Sequence, residues 1–272
     1  MSVYGCLPPQ IDVRDYKLSK ASTASVLPKK YSLDNLPKVK NQKNVGSCVA
    51  HATSSILESH DVNIGDNTLS TNFIYGIQKQ FCGHDGSGMY LRDACKIVKE
   101  YGDMLESDCS GNTEVPDCWD KAEKSLTYDD RKNRAAYFKI KSYFNCSSNE
   151  EIKRAIYTYG PVLASIKWYD NYIVDNNGIL CGSETGSYGY HAIMIYGWNE
   201  EGFLCQNSWG TTWGKKGRFT LPYIVKIAEA KGIVDAIDND DSFIKPKKNA
   251  ILNTVYKIIN KILNFFQKIL DK

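Results

Sequence analysis

The stretch NQKNVGSCVAHATSS, residues 41–55, places one cysteine at the expected start of a helix. Ser47 is a favourable residue to cap a helix, and Ala52 and Ile56 fall on one face of the turns that follow. A thiol in the first turn lies near unpaired backbone N–H groups and at the positive end of the helix dipole. Both favour the thiolate, the nucleophilic form of cysteine, so the sequence predicts a reactive thiol at Cys48.

The composition is that of a soluble globular protein, with 272 residues, 42% hydrophobic and 24% charged. The net charge of +3 and the absence of a basic stripe with interleaved aromatic residues argue against a nucleic-acid partner. No secretory signal and no run of eighteen apolar residues is present. The nine cysteines are odd in number and irregular in spacing. This pattern argues against a disulfide framework, so we expect a reducing, cytoplasmic location.

The periodicity changes character midway along the chain. Residues 1–36 are polar and contain prolines, which predicts an extended arm. Helices are expected from Ser47 to a limit at Gly65, at 72–80 and at 91–101, with a mainly irregular stretch at 103–135. Strands are expected at 137–146, 162–168, 190–196, 203–206 and 218–221, with one helix that opens on a capping box of Ser148 and Glu151.

A helical half followed by a β-rich half predicts an α+β fold of two lobes that meet along a cleft. The expected boundaries are 37–135 for the helical lobe and 136–235 for the β lobe. A linker at 236–249 and an amphipathic helix at 250–272 then follow.

A thiolate nucleophile needs a base, and the second half of the chain offers one. His51 lies on the same helix as the cysteine, whereas His191 begins a strand in the other lobe. If Asn207 accepts a hydrogen bond from Nδ1–H of His191, it fixes the tautomer and directs Nε2 at the sulfur. Trp209 would then cover this hydrogen bond. On the other side, the amide of Gln42 and the N–H of the cysteine are expected to stabilise a developing oxyanion.

Several of these motifs occur together in one known family. The spacing of Gln42 and Cys48, the GSC before the helix, the HA at His191 and the NSWGTTWG at 207–214 closely resemble the papain-like cysteine peptidases, family C1. The resemblance implies a helical left lobe, an antiparallel β-barrel-like right lobe and an active-site cleft between them. It also implies hydrolysis of peptide bonds through a thiolate–imidazolium pair and an acyl-enzyme, with no metal and no organic cofactor.

Carried over by position, Cys48 is the nucleophile, His191 the base and acid, and Asn207 the orienting residue. Gln42 is the oxyanion-hole donor and Trp209 the shielding indole.

Two further stretches extend the resemblance, which covers about residues 35–235. GSGMYLRDACKIVKEYG, residues 86–102, is similar to the segment that pairs with substrate backbone, so Gly88 is a candidate substrate-binding residue. YGCLPPQIDVRDY, residues 4–16, resembles the start of microbial-type and viral-type members without the long helical propeptide.

The chain also departs from the family pattern at four positions. Val49 stands where the family has an aromatic residue, and His51 stands where it has an apolar one. Val45 stands where the family has a disulfide-forming cysteine. The fourth departure is Tyr190, the residue before the histidine.

Other interpretations of the same residues remain open. Cys48 would be only a buried structural residue in a catalytically silent peptide-binding protein, and the same cleft would also suit acyl transfer to an amine. The spacing of Cys82, His84, Cys95, Cys109 and Cys118 fits no standard zinc pattern, so we predict no metal site. A disulfide between Cys109 and Cys118 is conceivable only if the protein is exported.

The predicted C-terminal helix has an apolar face that something must cover. Its opposite face carries Lys257, Lys261 and Lys268. Protein can cover the apolar face, either this enzyme or a second copy of it, or an anionic membrane surface can do so. We favour coverage by protein.

We therefore expect the full-length protein to stay in solution when it is sedimented with anionic liposomes. Deletion of residues 246–272 should instead change the molecular mass or the stability, measured by light scattering and thermal unfolding. Liposome binding that disappears on deletion would contradict this expectation and support a membrane contact.

Overall fold

The computed structural model describes residues 4–10, 12, 15–16, 26–60, 68–83, 87–111 and 128–235. The predicted linker at 236–249 and helix at 250–272 lie outside these residues, as do His84 and Cys118. Within them, the predicted two-lobe α+β architecture is confirmed.

Three helices form the first lobe: α1, Cys48–His60; α2, Thr71–Cys82; and α3, Leu91–Glu100. In α1 every residue from Cys48 to Glu58 is buried, so this helix runs through the lobe and not along its surface. α2 begins where the Ser70 hydroxyl accepts the Phe73 N–H at 3.0 Å, and it ends at Gly83, whose φ is 66°. The helices predicted at 72–80 and 91–101 are thus confirmed.

A fourth helix lies at the end of the stretch 103–135, which the sequence predicts to be mainly irregular. α4 spans Tyr128–Ala136, and its sequence YDDRKNRAA contains no apolar stripe to reveal it. Its last turn packs closely against Gly102, where an added Cβ would lie 1.8 Å from the Ala135 carbonyl oxygen. The Asp103 N–H donates to the same oxygen at 3.2 Å. This helix is therefore held by close backbone contact, which a hydrophobic pattern does not record.

The second lobe is built on an antiparallel sheet. Its strands are β1, Tyr31–Ser32; β2, Ile140–Asn145; β3, Val162–Tyr169; β6, Tyr188–Trp198; β7, Gly202–Gln206; β8, Arg218–Pro222; and β9, Ile227–Asp235. The order is β2-β9-β3-β6-β7-β8, and β1 pairs with the end of β6. The short strands β4, Ile173–Val174, and β5, Leu180–Cys181, pair with each other.

Helix α5, Asn149–Tyr159, packs on this sheet through Ile152, Ala155 and Ile156. Its N-terminus is capped by the predicted pair of Ser148 and Glu151, although the return bond goes to Ser147 and not to the cap residue itself. The Ser148 hydroxyl accepts the Glu151 N–H at 3.1 Å, and the Glu151 carboxylate accepts the Ser147 N–H at 2.6 Å.

The central strands β3 and β6 contribute to the cores of both lobes, because successive side chains of a strand point to opposite faces. Ala192 and Met194 pack in the core of the helical lobe. Ile193 and Ile195 pack in the core of the β lobe. The first turn of α1 thereby lies against β6, and this junction carries the site.

Candidate active site

Cys48 is the first residue of α1, and its side chain is fully buried. The Ser47 carbonyl accepts the first intrahelical bond, from the His51 N–H at 3.0 Å. The Cys48 sulfur in turn accepts the Ala192 N–H of β6 at 3.5 Å. Because Ala192 directly follows His191, this contact between lobes brings the cysteine to the strand that carries the predicted base.

His191 is fully buried, and its Nε2 lies 2.7 Å from Oδ1 of Asn207. The same Oδ1 accepts the Ser208 N–H at 2.7 Å, which identifies the atom as the oxygen of the amide. An oxygen can only accept, so Nε2 must carry the proton and donate. Nδ1 is then the unprotonated nitrogen, and it has no hydrogen-bond partner among the described residues.

This geometry corrects the predicted roles of the two ring nitrogens. The sequence predicts that Nδ1–H bonds to Asn207 and that Nε2 is directed at the sulfur. In the structure Nε2 makes the bond to Asn207, so Nδ1 is the nitrogen left without a partner among the described residues. Either nitrogen can donate to an amide oxygen, and the rotation of the ring decides which one does. That rotation is set by the side chains that pack on the imidazole, which the spacing of motifs does not specify.

Two tryptophans enclose the imidazole. The structure places the predicted Trp209 across the His191 ring, with centroids 4.5 Å apart and planes at 31°. Trp168, which no sequence motif indicated, lies edge-on to His191 at 5.5 Å and to Trp209 at 4.8 Å. In β3, Ile166 is paired with His191, so Trp168 two residues on shares its face of the sheet. The signal that would have identified Trp168 is the register between β3 and β6, and a single sequence does not fix that register.

Gln42 is fully buried behind the nucleophile. Its Nε2 donates to the Val45 carbonyl at 2.9 Å, and its Oε1 accepts the Ser208 hydroxyl at 2.5 Å. Its backbone N–H donates to the Ser208 carbonyl at 2.8 Å. These bonds fasten the loop before Cys48 to the residue that follows Asn207.

The burial of the pair favours its neutral form. Burial raises the pKa of the Cys48 thiol to about 11, although the Ala192 and Gly5 N–H groups act in the opposite direction. Burial likewise lowers the pKa of His191 to about 4, against the hydrogen bond to Asn207. Removing a charged group from water disfavours its charged form, so the expected thiolate–imidazolium pair is not the state this covered site favours.

His51 takes no part in the pair. Its Nδ1 lies 2.9 Å from the Ser47 carbonyl of its own helix. Burial lowers the pKa of His51 to about 3.

The N-terminal arm is what covers the site. The Leu7 N–H donates to the Met89 carbonyl at 3.0 Å, and the Met89 N–H donates to the Gly5 carbonyl at 2.8 Å. On the other side, the Cys6 N–H donates to the Tyr190 carbonyl at 3.2 Å. The arm thus forms a strand between the segment of residues 87–90 and the start of β6.

The arm fits closely because Gly5 of the arm faces Gly46 of the loop before Cys48. A Cβ on Gly5 would lie 2.0 Å from the Gly46 carbonyl oxygen, so no larger residue fits there without displacement. Gly88, predicted to bind substrate, has φ 91°, and a Cβ on it would lie 3.0 Å from the Gly5 carbonyl oxygen. Gly88 therefore borders the arm in this structure.

Within the described residues, no group of three or more His, Cys, Asp or Glu side chains could hold a metal ion. Cys82 and Cys95 are free thiols there. The predicted absence of a metal and the question of a Cys109–Cys118 disulfide both involve residues outside the described part of the chain. No described helix has the length and apolar character to cross a membrane.

We expect His191 to remain neutral in the intact protein as the pH is lowered from 7 to 5. Its pKa of about 4 lies below the ordinary 6.5, so the neutral form persists until the pH approaches 4. The measurement is an NMR titration of the four histidines, with the His191 signal assigned from the His191→Gln spectrum. A His191 midpoint near 6.5 would show that the ring is not buried as described.

Comparison with known proteins agrees with this geometry. The family described as papain family cysteine protease matches residues 27–233. Xylellain, a cysteine protease from Xylella fastidiosa, has a TM-score of 0.70 at 26% identity, over 86% of this chain and 97% of that chain.

Two curated relatives are longer than this chain. Cathepsin B-like cysteine proteinase 3 of Caenorhabditis elegans is 27% identical over 209 residues, 67% of this chain and 56% of that protein. A cysteine protease of Blomia tropicalis is 26% identical over 232 residues, 80% of this chain and 62% of that protein. The match spans more than half of the sequence, and the chain belongs to the papain family of cysteine proteases.

Proposed function

We propose that the protein is a cysteine peptidase that hydrolyses peptide bonds, with Cys48 as its nucleophile and His191 as its proton carrier. The observation that supports this most directly is the state of His191. Its Nε2 is fixed by Asn207, and its Nδ1 is unprotonated and has no partner among the described residues. The next residue, Ala192, contacts the Cys48 sulfur. A base with one nitrogen held and the other unprotonated, on the residue next to the one that contacts the thiol, is an arrangement suited to nucleophilic catalysis.

The reaction follows from these positions. Nδ1 of His191 takes the thiol proton, and the sulfur attacks the carbonyl carbon of the scissile peptide. The Gln42 amide and the Cys48 N–H stabilise the oxyanion. The intermediate collapses to a thioester as His191 protonates the leaving amine. His191 then removes a proton from water, whose attack on the thioester releases the acid and the free thiol.

Trp168 and Trp209 support this chemistry by excluding water from the bond between His191 and Asn207. A hydrogen bond in a dry surrounding is electrostatically stronger than one in water, so the ring is held more firmly.

The proposed substrate is an extended peptide or protein segment. The backbone groups of Met89 and Tyr190 already bind an extended chain, since they hydrogen-bond to the arm at Gly5, Cys6 and Leu7. A substrate would use the same groups after the arm leaves. The arm therefore acts as a built-in cover, and its displacement would let water and substrate reach Cys48.

A reducing, cytoplasmic compartment is the proposed location. Seven cysteines in the described part of the chain are free thiols, which supports it: Cys6, Cys48, Cys82, Cys95, Cys146, Cys181 and Cys205. The relation to microbial-type and viral-type members stays a prediction from residues 4–16, and self-association or membrane contact of residues 250–272 stays a prediction as well.

Cys48→Ala should lower peptide hydrolysis by at least about 10³-fold, because no other group can form the thioester. The measurement is the release of products from a mixed peptide library, with the parent protein and the variant treated identically. Cys181→Ala is the matched control, since this thiol lies on β5, which pairs with β4, and its loss should leave hydrolysis unchanged.

Hydrolysis that persists in Cys48→Ala would contradict the proposal. A folded parent protein that binds peptides without cleaving them would support the silent binding protein instead. Products with an exchanged amine would indicate acyl transfer.

A further inference from the structure

The arm makes a second contact with the body of the protein, away from the sulfur. Asp12 and Asp15 both pair with Arg92, at 2.7 Å to Nη2 and 2.9 Å to Nε respectively. The second oxygen of Asp15 lies 2.9 Å from Nζ of Lys231. Two acidic residues of the arm thus meet two cations of the body.

The two cations belong to different lobes. Arg92 lies on α3, and Lys231 lies on β9. The contact is also well shielded from water, because the side chains of Lys231 and Asp15 are only 1% and 4% exposed. Ion pairs this deep are screened by salt much less than those on the surface.

Lys231 and Arg92 differ in the partners that they have outside the arm. Lys231 also pairs with Glu229 at 3.1 Å and donates to the Asn145 side-chain oxygen at 2.5 Å. The Tyr143 ring lies 6.0 Å from its Nζ. If the arm leaves, Lys231 keeps these partners, so the body is not left with an uncompensated buried charge. Arg92 pairs with two aspartates, and both belong to the arm.

We propose that Arg92 and Lys231 form a binding site for a pair of carboxylates, and that Asp12 and Asp15 occupy it to hold the arm across the cleft. The ligand class is an acidic peptide segment, supplied here by the chain itself. This inference rests on the proposed function, since it assigns the residues that control access to Cys48.

The charges hold the arm over the pH range in which a cytoplasmic enzyme works. Burial opposes ionisation of Asp15, but Lys231 and Arg92 hold the pKa of its carboxyl below the ordinary value. The nearby Glu229 carboxylate repels the charged form of Asp15 and so acts against this lowering. Burial raises the pKa of Glu229 itself. A lowered pKa means that the contact is fully formed above about pH 4 and is lost only as the pH falls through the lowered value. Release at neutral pH therefore requires a competing ligand, cleavage of the arm or loss of the charges.

The test replaces both aspartates in the full-length protein, as Asp12→Asn with Asp15→Asn, which keeps side-chain size and removes charge. Cys48 is fully buried beneath the arm, so its rate of alkylation by a peptidyl epoxide reports how often the arm leaves. The rate is measured by intact mass and by mapping the modified peptide. We expect at least about tenfold faster alkylation of Cys48 in the double variant.

Two further variants sharpen the result. Arg92→Lys keeps the charge but cannot contact both aspartates through one planar fork, so its rate should lie between those of the parent and the double variant. Asp108→Asn is the matched control. It removes an aspartate that pairs with Arg134 at 2.9 Å, in the helical lobe, and it should leave the rate unchanged.

Equal rates in the parent and the double variant would overturn the inference, as would equal acceleration in Asp108→Asn, which would indicate general loosening. If the double variant does not fold, Arg92→Lys decides: a faster rate supports the inference and an unchanged rate overturns it.

Peptide hydrolysis is measured in parallel to separate the two proposals. Faster alkylation without hydrolysis supports the carboxylate site and contradicts the peptidase. Hydrolysis with unchanged alkylation contradicts the carboxylate site alone.

Discussion

The hydrogen bond from the Ala192 N–H to the Cys48 sulfur is the contact on which the site depends. It joins the first turn of a helix in one lobe to a strand in the other, and it thereby holds the thiol against the residue that follows His191. The bonds from Gln42 to Ser208 add a second connection at the same junction. The nucleophile and its base are thus held by packing between lobes, because no local stretch of chain contains both.

The arm changes which protonation state of Cys48 and His191 is favoured, and it does so by covering them. Tyr4–Leu7 keeps water from Cys48 and His191, and the loss of solvation favours the uncharged thiol and the uncharged ring. The nucleophilic form needs a charged sulfur, so covering the site blocks access and also suppresses reactivity. One segment produces both effects because its backbone hydrogen bonds to Met89 and Tyr190 carry it directly over the sulfur.

Much of this arrangement is readable from the sequence, for identifiable reasons. Apolar spacing predicted the helices, and the residue types around Cys48 predicted its chemistry. α4 was missed because close backbone contact holds it and not an apolar stripe. The orientation of the His191 ring and the part played by Trp168 depend on strand register, which one sequence leaves open. The path of the arm depends on main-chain bonds and on the absence of a Cβ at Gly5, and neither produces a pattern.

The most direct test is a crystal structure of the full-length protein after a peptidyl epoxide has alkylated Cys48. The account predicts that the inhibitor takes the hydrogen bonds of Met89 and Tyr190 that Gly5, Cys6 and Leu7 make here, with Nδ1 of His191 facing the sulfur. An adduct in which the arm still holds both backbone positions would contradict it, as would one in which Nδ1 is the nitrogen bonded to Asn207.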